Sequence, residues 1–295
     1  MKVSIMGNKK KHKKMSQYIR WIIEVALFLV AIVIFFWGLN NFWMRPVNSD
    51  LSNSNLRGPL TQKKFNYVAI GDSLTEGVGD RTAQGGFVPL LAHNIDDTYD
   101  VQVKSQNFGV SGNTSTQIYK RVTTDNKIQK AIKKADLITI TVGGNDVMKV
   151  IRTQLANLSE TSFKAPAKAY QKQISDLFAY IRQINPDVQV YVVGIYNPFY
   201  LNFPDIKQMQ DVIDNWNIAT KAIVDKQKKM YFVPINDLLY QGLDGNEGVT
   251  EKTETSHTIT NNALFEEDHF HPNNIGYQVM SDAVAKAYKE HANEK

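Results

Sequence analysis

Five short runs rich in β-branched and aromatic residues, Phe65 to Ile70, Val101 to Phe108, Leu137 to Val142, Val188 to Ile195 and Met230 to Ile235, are separated by longer segments with helical spacing. Near-continuous apolar strands alternating with helices specify an α/β fold, a parallel sheet covered on both faces. The clearest helices are predicted over Lys164 to Ile184, Gln208 to Lys228 and Ile275 to Ala292, with Pro186 and Pro234 marking breaks. From Phe65 onward about 230 residues remain, a length that one well-packed α/β unit can hold. No internal repeat or second composition break divides them.

The N-terminal part follows other rules. Trp21 to Leu39 is nineteen residues, apolar except for Glu24, and about twenty such residues span the hydrocarbon core of a bilayer. Lys2, Lys9, Lys10, Lys11, Lys13, Lys14 and Arg20 precede the run, whereas only Arg45 and Arg57 follow closely. The positive-inside bias therefore predicts a single-pass anchor with a cytoplasmic N-terminus and everything after Asn40 outside the cell membrane. Trp21, Trp37, Phe42 and Trp43 lie where amphipathic aromatics favour the headgroup layer. A cleaved signal peptide fits less well. The run exceeds the roughly 7 to 15 residues usual for such peptides, and Asn40 to Arg45 offers no small-residue cleavage site. The expected organisation is thus a basic tail over residues 1–20, an anchor over 21–43, a linker rich in Asn, Ser and Pro over 44–64, and a catalytic domain over 65–295.

This division explains the charge. Residues 1–64 hold eleven Lys and Arg against Glu24 and Asp50, so they carry +9 where the whole chain carries a formal +5, which leaves −4 for the rest. The basic balance belongs to the tail and linker, and gives no reason to expect nucleic-acid binding by the folded part. Cysteine is absent, which excludes disulfides, thiolate metal sites and cysteine nucleophiles.

Four short motifs carry chemistry: Gly71-Asp72-Ser73-Leu74, Ser111-Gly112-Asn113, Gly143-Gly144-Asn145-Asp146 and Asp268-His269-Phe270-His271-Pro272. Ser73, Gly112 and Asn145 each fall within a few residues of the C-terminal end of a predicted strand, where open α/β sheets bind ligands. Ser73 near a helix start is a candidate nucleophile for a neighbouring imidazole to activate; in isolation it would read as a helix N-cap, with Asp72 competing for that job. His271 is the candidate base, and Asp268, three residues earlier, the carboxylate that orients it. Gly112, through its backbone, and Asn145, through its amide, are candidate donors to an oxyanion, although each motif alone is also ordinary turn chemistry. His12 is on the cytoplasmic tail, His93 in a helix, His291 near the chain end, and His257, in the polar stretch Asp244 to Asn262 read as a long loop, is the main competitor as base. Asp268, His269 and His271 fit a zinc site poorly, since no further ligand cluster is apparent. No Gly-x-Ser-x-Gly occurs, so the nucleophile elbow of α/β-hydrolases is not the pattern.

In their order and content the four blocks resemble the GDSL lipases and esterases, or SGNH hydrolases, over residues 65 to about 290. The resemblance implies a flavodoxin-like three-layer α/β/α sandwich with about five parallel strands. It implies Ser73 as nucleophile and, through its own amide, oxyanion donor; Gly112 and Asn145 as the other donors; and Asp268 and His271 as the remaining pair, without cofactor or metal. Gly77 to Asp80 and Gly85 to Val88, with the N-terminal anchor, are similar to a subgroup of Gram-positive surface lipases or acylhydrolases. The expected activity is that of an extracytoplasmic serine esterase acting through an acyl-enzyme on lipid or lysophospholipid esters. The alternatives are removal of O-acetyl groups from cell-wall glycans, thioester or amide hydrolysis by the same machinery, or glycan or lipid binding without turnover. Tyr196, Phe199, Tyr200, Leu201 and Phe203 are candidates for a platform beside the cleft, or for lid packing.

Overall fold

The structure, a computed structural model, describes residues 62–82, 84–154, 158–200, 207–240, 250–253, 256–259 and 261–292. The expected span at 21–39 and nearly all of the expected linker lie outside them. Among the described residues no helix is long and apolar enough to cross a membrane.

Five parallel strands form the central sheet: β1 (Lys63–Gly71), β2 (Val101–Gly109), β3 (Leu137–Thr141), β4 (Gln189–Val193) and β5 (Met230–Val233). Their spatial order is β2-β1-β3-β4-β5, with Ile70 paired to Phe108 on one side and to Ile140 on the other. The chain enters at β1, crosses to β2, then returns past β1 to β3. Between β1 and β3 the direction of winding reverses, and such a switch point opens a crevice at the carboxyl ends of the strands.

The nine helices among the described residues are α1 (Ser73–Glu76), α2 (Phe87–Tyr99), α3 (Ser115–Thr124), α4 (Asn126–Lys134), α5 (Gly144–Gln154), α6 (Glu160–Ile184), α7 (Lys207–Val224), α8 (Asn236–Leu239) and α9 (Asn274–His291). Successive strand residues point to opposite faces, and the buried side chains divide accordingly. Val68, Ile70, Ile138, Ile140, Val190 and Val192 pack with apolar residues of α3, α4, α5, α6 and α7. Tyr67, Ala69, Leu137, Tyr191 and Val193 pack with those of α2 and α9. Helices on both faces of a parallel sheet give the α/β sandwich, with its core on either side of β1, β3 and β4.

Three local features differ from expectation. β2 lies at the sheet edge, and its sequence Val-Gln-Val-Lys-Ser-Gln-Asn-Phe leaves most positions partly or fully exposed, the alternation of a strand with one wet side. α6 starts four residues early. A start at Lys164 would put Pro166 in the first turn, where its missing N–H costs nothing, but Ser162 Oγ accepts from the Ser159 N–H (3.3 Å) and begins the helix there. Within the stretch read as a loop, β6 (Thr250–Thr253) and β7 (Ser256–Ile259) pair antiparallel, and the β-branched Thr250, Thr253, Thr258 and Ile259 favour strands.

Candidate active site

Asp72 is the N-cap of α1: its carboxylate accepts from the Leu74 N–H (3.1 Å). That resolves the competition at Gly-Asp-Ser, because Ser73 becomes the first helical residue and its hydroxyl is free for other work. Thr141, at the end of β3, donates to Asp72 Oδ1 (2.8 Å) and lies 2.8 Å from the Thr75 hydroxyl. Burial raises the Asp72 pKa, against the hydrogen bonds from Thr141 and Leu74 that favour the carboxylate. A Cβ at Gly71 would stand 2.2 Å from Thr141 Oγ1, so only glycine lets the strand turn so close to β3.

Ser73 Oγ is 2.9 Å from His271 Nε2, and His271 Nδ1 is 2.6 Å from Asp268 Oδ2. With its proton on Nδ1, facing Asp268, the imidazole presents a lone pair to the serine. Asp268 Oδ1 accepts from the N–H groups of Phe270 (2.9 Å) and His271 (3.0 Å). Partial burial pushes the Asp268 pKa up, but the bonds from the His271 ring and the two backbone donors outweigh it and hold the carboxyl below its ordinary value. The loop is fastened at both ends. Phe265 N–H donates to His271 O (2.7 Å), and Asn273 caps α9 by accepting from Ile275 and Gly276 N–H. The Tyr196 hydroxyl, at the end of β4, donates to Phe270 O.

Gly112 sits third in the turn Val110–Asn113, closed by Asn113 N–H to Val110 O (3.2 Å), with φ +76°. Ser111 has no positive φ, which makes this a type II turn, where the third position favours glycine. A Cβ at Gly112 would meet open space; the requirement is conformational. Asn145, second residue of α5, donates one amide N–H to Asn113 O (3.2 Å), leaving a second. Neither the Ser73 N–H nor the Gly112 N–H donates to a protein acceptor among the described residues. Asp146 ties the same two blocks by accepting from Ser115 N–H (2.9 Å) and Oγ (2.6 Å), with its pKa raised by burial despite those bonds.

Ser73 and Asn145 share a cleft with Asp72, Leu74, Gly144, Val147, Met148, Ile195, Tyr196, Pro198, Phe199, Met209, Ile213 and Phe270. Gly112 does not line it. Of the platform residues expected from sequence, Tyr196 and Phe199 line the cleft, Tyr200 packs edge-on against Tyr240 with centroids 4.6 Å apart, and Leu201 and Phe203 lie outside the described residues. His257 falls on β7, and His93 is on α2.

Arg121, Glu76 and Thr141 carry no functional signal in the sequence. Arg121, on α3, donates to Phe108 O (2.5 Å), Asn113 Oδ1 (3.0 Å) and Gly71 O (3.4 Å), joining the ends of β1 and β2 to the Gly112 turn. Nothing near it in the chain marks that role, since its partners come from three separate segments. Asp146 and Tyr196 stand out in the sequence only as a motif neighbour and a cleft aromatic.

Comparison with known proteins adds to this geometry. The model of the GDSL-like Lipase/Acylhydrolase family matches residues 69–279. An uncharacterized protein of Bacillus subtilis, YpmR, is 33% identical over 233 residues, covering 78% of this chain and 84% of that one. The spore germination lipase LipC of Bacillus licheniformis is 27% identical over 225 residues, covering 75% and 95%. Among solved structures, the lipase Lip_vut3 from a goat rumen metagenome superposes with a TM-score of 0.62 at 25% identity, over 76% of this chain and 97% of that one. The chain belongs to the GDSL-like lipase/acylhydrolase family and is a serine ester hydrolase.

Proposed function

We propose that Ser73 is the nucleophile, His271 the general base and acid, Asp268 its orienting carboxylate, and the Ser73 and Gly112 N–H groups with the Asn145 amide the oxyanion donors. His271 Nε2 takes the Ser73 proton as Oγ bonds to the ester carbonyl carbon, and the carbonyl oxygen becomes an oxyanion held by the three donors. Collapse breaks the bond to the alcohol, which leaves with the proton from His271. Water then attacks the acyl-enzyme, giving its proton to the same nitrogen, and the acid departs as Ser73 recovers its proton. The Asp268 carboxylate, 2.6 Å from His271 Nδ1, stabilises the imidazolium as it forms.

The substrates are lipid or lysophospholipid esters with the acyl chain in the cleft. The observation that carries this is the lining: beside Asp72, Ser73, Asn145, Gly144 and Tyr196 it is Leu74, Val147, Met148, Ile195, Pro198, Phe199, Met209, Ile213 and Phe270, an apolar majority that rewards an alkyl chain. The proposed setting is the outer face of a cell membrane, with Trp21 to Leu39 as the anchor; the support is the apolar run and the lysine-rich flank before it. A tether of this kind keeps the cleft beside lipid.

The test is hydrolysis of p-nitrophenyl esters from acetate to palmitate by the full chain, with Ser73→Ala beside it and an O-acetylated glycan as a separate substrate. Rising kcat/KM from acetate toward longer chains, absent in the variant, is expected. A sharp preference for acetate with glycan deacetylation would replace the lipid reading. For the location, externally added protease should cut the 65–295 part on intact cells; protection would place it inside.

A further inference from the structure

The Gly112 turn has a property that its own residues do not determine. In a type II turn the central peptide carries the C=O of the second residue and the N–H of the third, and turning that peptide over gives a type I turn. Glycine at the third position accepts either. Where the Gly112 N–H stands therefore depends on how the ends of the turn are held, and three side chains hold them. Arg121 holds the Asn113 side chain and Asn145 donates to the Asn113 carbonyl, both at the trailing end. At the leading end Glu76 Oε2 accepts the Ser111 N–H. Glu76 is the last residue of α1, three positions after Ser73, so one short helix bears both the reactive hydroxyl and the carboxylate that holds the turn. The same helix is fastened to β2 by Asn107, whose amide donates to Thr75 O (2.6 Å) while its oxygen accepts from Gly109 N–H (2.8 Å).

We propose that Glu76 is a positioning residue for the oxyanion hole: by accepting the Ser111 N–H it holds the leading peptide of the turn against α1 and so fixes where the Gly112 N–H stands relative to Ser73. The inference rests on the reading of Gly112 as an oxyanion donor. Glu76 touches neither substrate nor His271. It acts on the transition state through one peptide plane, and its loss removes stabilisation that the ground-state ester never received.

The experiment measures kcat and KM on one soluble p-nitrophenyl ester, affinity for a boronic acid that forms a tetrahedral serine adduct, and melting temperature, for the full chain and for Glu76→Ala, Glu76→Gln, Ser111→Pro and Glu76→Ala/Ser111→Pro. Proline removes the N–H that Glu76 accepts and suits the second position of a type II turn. Glu76→Ala is expected to lower kcat about 10-fold, less than deletion of a donor itself, with KM and melting temperature held and boronate affinity reduced in proportion. Glu76→Gln keeps an acceptor oxygen and should recover most of the loss. In the Ser111→Pro background Glu76→Ala should have little further effect. Wild-type kcat in Glu76→Ala, a loss confined to KM, no recovery by glutamine, or full additivity with Ser111→Pro would each overturn the proposal. Ser73→Ala in the same series separates the two levels: activity surviving there removes the catalytic reading itself, whereas an inert Ser73→Ala beside an unaffected Glu76→Ala removes only the role of Glu76.

Discussion

The two halves of the Ser73–His271 pair are held in place by different physics. On the serine side, Asp72, Ser73 and Thr141 are 3%, 5% and 1% exposed, and the bonds that place Ser73 are continuous with the sheet: Thr141 to Asp72 and Thr75, and Arg121 across the ends of β1 and β2. On the histidine side, the His271 and Asp268 side chains are 15% and 35% exposed, and the loop is placed by polar contacts from Asp268, Tyr196 and Asn273. A serine built into the core shares its supports with folding. An imidazole on a loop has supports of its own, so damage to them should appear in turnover before it appears in stability.

The largest expected effect cancels the comparison: with Ser73 as the proposed nucleophile, Ser73→Ala should lower kcat by about 10⁴-fold or more with little change in melting temperature, since its hydroxyl bonds only to His271. Measurable turnover close to wild type would mean another nucleophile. Asn145→Ala should cost about 10²- to 10³-fold in kcat, read in the same assay, by removing one of the proposed oxyanion donors. The comparison itself is tested by a pair. Thr141→Val leaves Asp72 buried without the Thr141 hydroxyl that its carboxylate and its N–H both use, for about 1–3 kcal/mol of stability by denaturant titration. Tyr196→Phe frees Phe270 O at the loop and should lower kcat about 10-fold with a smaller change in stability. If Thr141→Val proves silent in stability, or Tyr196→Phe unfolds the protein without slowing it, the division is wrong.

The smallest effect concerns the segment between α1 and α2. Partial burial pushes the Asp80 pKa up, but bonds from the Thr82 hydroxyl and the N–H groups of Gly86, Thr82 and Gly85 outweigh it and hold the carboxyl below its ordinary 3.8. A folded-state pKa below the unfolded one means stability that is present above the unfolded value and lost as pH falls through the folded one. The melting-temperature gap between wild type and Asp80→Asn should therefore be steady from pH 8 to about 5 and close below about 3.8. A gap that widens in acid would show that the carboxylate is not the form the segment binds.

Much of the fold is legible in residues taken in order, because it rests on short-range signals. Val68 and Ile70 on one face and Tyr67 and Ala69 on the other make a strand buried on both sides, and Asp72 and Asn273 cap helices with donors two or three residues ahead. Block chemistry is legible for the same reason: Asp268 and His271 are three apart, and their pairing is a local turn. Glu76 and Arg121 are not. Their partners lie in other elements, at Ser111 and at Phe108, Gly71 and Asn113, and no pattern within a short window of sequence encodes contacts of that range.

The sequence by itself determined the alternation of strand and helix and the inventory of groups at the strand ends, since burial period, capping and turn preference act over a few residues. Tertiary structure decided which groups meet. Ser73 and His271 are 198 positions apart, and they come within hydrogen-bond distance because the winding reverses between β1 and β3 and leaves one crevice into which the loop before α9 folds. It also decided that Asp72, not Ser73, caps α1, because only the neighbouring β3 supplies the Thr141 hydroxyl that keeps a buried carboxylate satisfied.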